Sequence, residues 1–286
     1  MTIKAEVVKD SVSKSGKRIT TFLLQYPRFI HSEFMTHRAF SRNSSSSRAI
    51  PFEKQVEAIR RDLAQPTEYR ANKSGMQAGE ALNERVQNAC QFLWKEAALK
   101  AIQFATDLHL FGVHKQYSSR ILEPFMHITV VVTATDYDNF FALRYHEMAQ
   151  PEIYELAAAM WEAYSGSKPT RRETGDWHLP FVDDDEYQST KDNGEDIFRL
   201  IKKSVACCAR TSYKNHDNSD VTDEQNEALY NRLLASTPKH ASPAEHQAIA
   251  AHDAETRSGN FQGWLQYRQA LEDEHITSFS GPSDNS

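Results

Sequence analysis

The sequence predicts an α+β chain, and three observations carry that prediction. Apolar and polar residues alternate over 3–8 and 19–24 with Ser15-Gly16 between them, the pattern of a β-hairpin. Val86, Cys90, Leu93, Ala97, Ala101, Phe104 and Leu108 recur at spacings of three and four, the stripe of a long helix that Gly112 stops. Residues 128–133 are rich in β-branched side chains and read as a further strand.

The remaining elements follow in order. A short amphipathic piece spans 53–65 with Val56, Ile59 and Leu63 on one side, and the polar, Gly-containing stretch 66–80 reads as a loop. Asp136 and Asp138 suit the start of a short helix carrying Asn139, Phe140, Leu143 and Arg144. Pro151 suits the first turn of another, with Ile153, Leu156, Met160 and Tyr164 on one face. Residues 165–196 shift to Gly, Ser, Lys, Pro and Thr with acids at 183–186, the composition of a linker. Two helices are expected beyond it, at 196–211 and 222–235, the second opening on a Thr222-x-x-Gln225 capping box. The organisation expected is a main part at 1–164, a linker at 165–196, a second segment at 197–274 and a frayed tail at 275–286.

Composition narrows the function. The 286 residues are 40% apolar and 25% charged, ordinary globular usage with enough chain for a substantial core. A net charge of -6 argues against long nucleic acid or an anionic membrane surface as partner. Cys90, Cys207 and Cys208 offer neither a disulfide framework nor CxxC spacing, so a reducing compartment and no metal are expected. Without an apolar leader or a long apolar run the chain reads as cytoplasmic, with no membrane span. His109, His127, His216 and His252 read as ordinary surface or core histidines.

Against that acidic background, no acidic residue occurs from Phe34 to Phe52, a stretch holding His37, Arg38, Arg42, Asn43, Arg48 and a cluster of serines. Guanidinium forks, hydroxyls and amides match phosphate or carboxylate oxygens, so an anion-binding loop is one reading. A solvated, Ser-rich loop open to phosphorylation is the other.

The stretch resembles the signature RHRxxSxNxxSxR of the flavin-dependent thymidylate synthases. Every fixed residue is present from His37 to Arg48 except the leading arginine, which is Thr36. Asn139, Arg144, Ala149, Gln150, Glu152 and Ile153 match a second motif of that family, and Gly112-Val113 with Arg120 to Pro124 is similar to a third. Two further motifs that the family carries ahead of this signature occur here behind it, as Cys208-Ala-Arg-Thr-Ser-Tyr213 and Lys239-His-Ala-Ser-Pro-Ala-Glu-His246. The order implies a circularly permuted member, its usual N-terminal segment moved to the C-terminus.

The resemblance implies a central antiparallel sheet flanked by helices, and a homotetramer whose subunits share active sites. It implies conversion of dUMP to dTMP, with methylenetetrahydrofolate as carbon donor and NADPH as reductant through FAD. The flavin carries the redox chemistry, so no enzyme nucleophile is expected. By the same resemblance His37, Arg38, Asn139, His240, Ser242 and Glu245 would hold FAD, and Ser46, Arg48 and Arg120 the nucleotide phosphate and sugar. Arg144 would be catalytic, stabilising negative charge on the pyrimidine. Taken singly, Arg144 also fits a helix surface and Arg120 a cap for helix carbonyls.

Four positions depart from the pattern. Thr36 removes a cation, which Arg268 is positioned in sequence to supply. Ser44 stands where the family usually has Glu, Thr133 where it often has Asn, and Met148 replaces a usual His. Such changes suit a related hydroxymethylase, and a nucleotide-binding homologue without catalysis is a further alternative.

Overall fold

The computed structural model describes residues 3–75, 77–212, 221–236 and 239–271. Tyr213, His216 and the tail at 275–286 lie outside the described residues. In chain order the elements are β1 (Lys4–Ser13), β2 (Arg18–Pro27), α1 (His31–Phe34), β3 (Ser41–Ser44), α2 (Phe52–Arg61), α3 (Glu84–Leu110) and α4 (Lys115–Ser118). Then come β4 (His127–Ala134), α5 (Asp138–Arg144), α6 (Pro151–Gly166), β5 (Thr170–Arg172), β6 (Trp177–His178), α7 (Asp184–Asp192), α8 (Phe198–Ala209) and α9 (Asp223–Leu234). The C-terminal part adds β7 (Ala248–Ala250), β8 (Arg257–Ser258), β9 (Phe261–Gln262), β10 (Trp264–Gln266) and α10 (Tyr267–Ala270).

The central sheet has the order β3-β4-β2-β1-β5 and is flanked by helices. The hairpin forms as the alternation predicts, with Gly16 supplying the positive φ of 87° that its turn requires. The expectation of a purely antiparallel sheet is corrected at one edge, where β5 runs parallel to β1. The chain leaves β4 through α5 and α6 and returns at the far edge, a crossover that brings a strand in parallel.

The two faces of this sheet differ. On one, Phe22, Leu24 and Tyr26 of β2 and Ile128, Val130 and Val132 of β4 pack against Phe34, Phe140, Ile153, Leu156 and Met160. That is the period-two, period-3.6 match the sequence predicts. The opposite face carries Thr21 and Thr133 and lies under the small sheet β10-β7-β6. Ile19 joins Ala248, Ala250, Phe261 and Trp264 there.

Two expectations about elements are corrected. The 165–196 segment, read as a linker, is a folded connection: Leu179, Val182 and Tyr187 are buried in a second core with Leu200, Val205, Tyr230 and Leu234. Its acids are structural. Asp183 caps α7 by accepting from the Asp185 N–H (2.8 Å), and Asp184, held by Lys9 and Arg172, ties the segment to β1. The second correction concerns α3, which forms and ends at Gly112 as expected, with a Val113 N–H to Leu108 carbonyl bond of 3.0 Å closing its last turn. Its inward face is Ala98, Ala101, Ile102 and Ala105, whereas Leu93 and Phe104 of the predicted stripe are exposed. Small residues let the helix sit close against Phe52, Ile59, Leu122 and Met126.

Candidate functional site

The basic stretch is fixed between two layers. Beyond α1 the chain turns, with Phe40 N–H reaching the His37 carbonyl (3.4 Å), and enters β3, which pairs with β4 from Ser41 opposite Thr133 to Ser44 opposite Val130. His37 is only 7% exposed, with its ring 4.9 Å from the edge-on Phe140 and 5.8 Å from Phe40. Arg144, at the end of α5, donates from Nε to His37 Nε2 at 3.0 Å. An arginine only donates, so Nε2 is the unprotonated nitrogen and the imidazole is neutral. Burial, Arg144 and Arg42 together push its pKa down to about 4. Two residues 107 positions apart, each singled out by a different motif, thus meet.

The C-terminal segment closes on the same strand. Asn43 donates to the Cys208 carbonyl (2.6 Å) and accepts from Ser242 Oγ (3.2 Å). Gln266 donates to Ser41 Oγ (3.0 Å) and to the Glu245 carbonyl (3.1 Å), and Asn260 donates to the Ala39 carbonyl (2.7 Å). Cys208, Ser242 and Glu245, from the two C-terminal motifs, therefore lie against β3 or the residues that pack on it. Glu245 is ion-paired with Arg268, so the cation expected to compensate for Thr36 is balanced within its own segment.

A second anion-type cluster sits at the other end of the stretch. Ser45 is locked to Thr129: its N–H donates to the Thr129 carbonyl (2.8 Å) and its Oγ accepts from the Thr129 N–H (3.1 Å). Ser47 Oγ donates to Glu123 (2.7 Å), and the same carboxylate receives Arg120 (3.0 and 3.2 Å) and Arg28 (3.1 Å). Arg120 is thus engaged by an acid three residues away, and Arg28 joins it. Ser46 Oγ accepts from the Arg48 N–H at 3.3 Å, shaping the turn. The side chains of Arg38, Arg48, Asn139 and His240 are exposed, and no hydrogen bond or ion pair joins them to other side chains among the described residues.

Several groups at this junction have partners that sequence reasoning did not give. Arg42, Asn43 and Gln266 organise the site, yet the signature leaves position 42 free and assigns Asn43 no contact. Glu123 drew no attention in the sequence, since only the folded turn brings Ser47, Arg120 and Arg28 to its carboxylate. The hydrogen-bonded face of the central sheet holds a buried chain across β1, β2 and β4: Ser11 Oγ, His178, Thr21 Oγ1, Thr133 Oγ1 and His246 Nδ1, linked at 2.7–2.9 Å. His246 is fully buried, its Nε2 unpartnered and its pKa pushed by burial to about 3.

Ala149, Gln150 and Pro151, leading into α6, line a cavity of about 590 Å3 together with Arg70, Gln77 and Met148. Glu152 anchors it, accepting from the Thr67 N–H (2.8 Å) and from Gln150 Nε2 (2.9 Å). No described helix is long and apolar enough to cross a membrane.

No curated protein matches the sequence. Among solved structures the chain is similar to a UMP/dUMP methylase, PolB from Streptomyces cacaoi, in its complexes with 5-Br dUMP and with 5-Br UMP. Identity is 17% in both cases, with TM-scores of 0.46 and 0.48. These alignments cover 57% of this chain and 90% and 89% of the PolB chains. The family model for thymidylate synthase complementing protein matches residues 18–170, just over half of the chain. That span runs from β2 to β5 and contains both His37 and Arg144, and the chain belongs to this family.

Proposed function

We propose that the protein is a flavin-dependent enzyme that adds a one-carbon unit to a pyrimidine nucleotide, converting dUMP to dTMP with methylenetetrahydrofolate and NADPH. The observation that carries this reading is the bond between His37 and Arg144. A pure phosphate binder has no use for a neutral imidazole and a guanidinium joined over an aromatic floor.

The donor set suits a flavin dinucleotide. Arg38, Asn139 and His240 present exposed polar groups, while Ser242 and Glu245 are carried to β3 by the contacts of Asn43 and Gln266. When bound, FAD supplies the hydride chemistry between NADPH, the carbon donor and the pyrimidine. The chain itself binds and orients. Arg144, held through Nε, keeps its remaining N–H groups for the pyrimidine, where a fixed cation stabilises charge developing at N3. His37 fixes that guanidinium by accepting from it. Ser46 and Arg48 hold the phosphate, and Arg120 joins them on exchanging Glu123 for the substrate anion.

The permuted order is part of the proposal and is supported by the packing of Cys208 and Ser242 onto Asn43. So is a homotetramer with shared sites, supported by Phe92, Leu93, Leu99, Phe104 and Leu110, all exposed on α3. One observation favours hydroxymethylation as a second reading. Thr133, in place of the family's frequent Asn, has its hydroxyl committed to Thr21 and His246.

Purified protein loaded with FAD should bleach anaerobically on addition of NADPH. Protein that takes up no FAD, or holds it without reduction, would contradict the redox reading and leave a nucleotide binder.

A further inference from the structure

Position 36 cannot supply a cation, and its hydroxyl is already used: Thr36 Oγ1 donates to the Glu33 carbonyl at 2.7 Å. The guanidinium that lies beside this turn belongs to another residue. Arg42, six residues on in β3, folds back so that Nη1 donates to the carbonyls of Met35 (2.8 Å) and His37 (3.1 Å), the two residues bracketing Thr36. Its Nε and Nη2 have no partner among the described residues. The free edge is therefore a fork of the kind that grips two oxygens of one anion.

The surroundings leave this charge uncompensated. Arg42 and Arg144 both act on His37, which is neutral. Tyr26 is buried and held protonated, its hydroxyl bonded to His31 Nδ1 at 2.9 Å, and His31 is neutral because burial, Arg28 and Arg42 push its pKa to about 4. The acid whose charge reaches Arg42 is Glu245, and Arg268 already pairs with it. Burial disfavours the charged form of Arg42, a cost that an arriving anion would offset.

We propose that Arg42 is an anion-binding residue of this site, presenting its free edge to a phosphate oxygen and standing in for the cation absent at Thr36. The assignment rests on the flavin and nucleotide reading above. The phosphate belongs either to the dinucleotide cofactor or to the pyrimidine nucleotide, and the choice is left to measurement.

The test uses the full chain and four proteins: wild type, Arg42→Lys, Arg42→Gln and the double variant Arg42→Gln/Thr36→Arg. Each is titrated with FAD, riboflavin, dUMP and deoxyuridine, with thermal unfolding as a check on folding. Arg42→Gln should weaken FAD or dUMP by about tenfold or more, and leave riboflavin and deoxyuridine unchanged. Which of the two weakens identifies the phosphate. Arg42→Lys, which keeps the charge and can still reach the carbonyls, should lose less, and Thr36→Arg should restore much of the lost affinity.

Unchanged FAD and dUMP binding by folded Arg42→Gln would overturn the assignment while leaving the functional reading intact. Equal losses for the ligands without phosphate, or no recovery in the double variant, would also overturn it, because Arg42 would then only brace the turn. A wild type that binds neither FAD nor dUMP overturns the functional reading, and the assignment with it.

Discussion

At the scale of single residues, the site is governed by which groups are charged. His37 has a pKa lowered from the ordinary 6.5 to about 4, so it remains an uncharged acceptor for Arg144 throughout the neutral range. Turnover should therefore show no limb near pH 6.5 from His37, and a pH profile checks this. Arg144→Gln removes the fixed cation at the end of α5 and should lower kcat by about a hundredfold or more, with the fold retained. At Glu123, two arginines share one carboxylate, so replacement by Gln leaves both cations unbalanced. Glu123→Gln should tighten dUMP and steepen its salt dependence, whereas weaker binding would show that Glu123 serves to orient Arg120. His37 and Arg144 were legible because the motifs fix their types. Arg42 and Glu123 were not, since their roles arise from backbone carbonyls and partners that only the folded turn brings near.

At the scale of elements, local chemistry was read correctly where the chain signals it within a few residues. The hairpin turn at Gly16 and the Thr222-Gln225 box both formed, the latter with its two reciprocal bonds. The acids at 183–186 looked like a solvated run because capping and linker compositions overlap; burial of Val182 and Tyr187 decides between them, and burial is a tertiary property. Asp183→Ala should cost about 1 kcal/mol of stability in denaturant unfolding, the usual worth of such a cap. The α3 stripe failed for a related reason. A helix with apolar residues on more than one side does not announce which side is inward, and here the small side packs while Phe92 (62% exposed) and Leu110 (77%) face outward. If copies of the chain meet on that surface, Phe92→Glu/Phe104→Glu should shift the species seen by light scattering to a monomer with little activity. An unchanged assembly would place the contact elsewhere.

At the scale of the whole molecule, the central sheet is apolar on the α6 side and hydrogen-bonded on the other, where the C-terminal part docks. Composition and spacing identified strands and helices but gave no hint of this second face, because Thr21 and Thr133 read as ordinary strand residues. Burial keeps the imidazoles of His178 and His246 in this buried chain neutral by lowering both pKa values, that of His246 to about 3. The unfolded chain then binds more protons than the folded one below pH 6.5. Stability should be full above that value and fall as the pH drops toward 3, which urea unfolding at a series of pH values would register. The same layer brings Ser242 and Cys208 to Asn43, so the site depends on the C-terminal part staying docked.

The most direct measurement is the identity of the nucleotide recovered after the FAD-loaded protein is incubated with dUMP, methylenetetrahydrofolate and NADPH. A product with the mass and chromatographic position of dTMP is the result this account predicts. Quantitative return of unmodified dUMP from protein that binds both FAD and dUMP would contradict it.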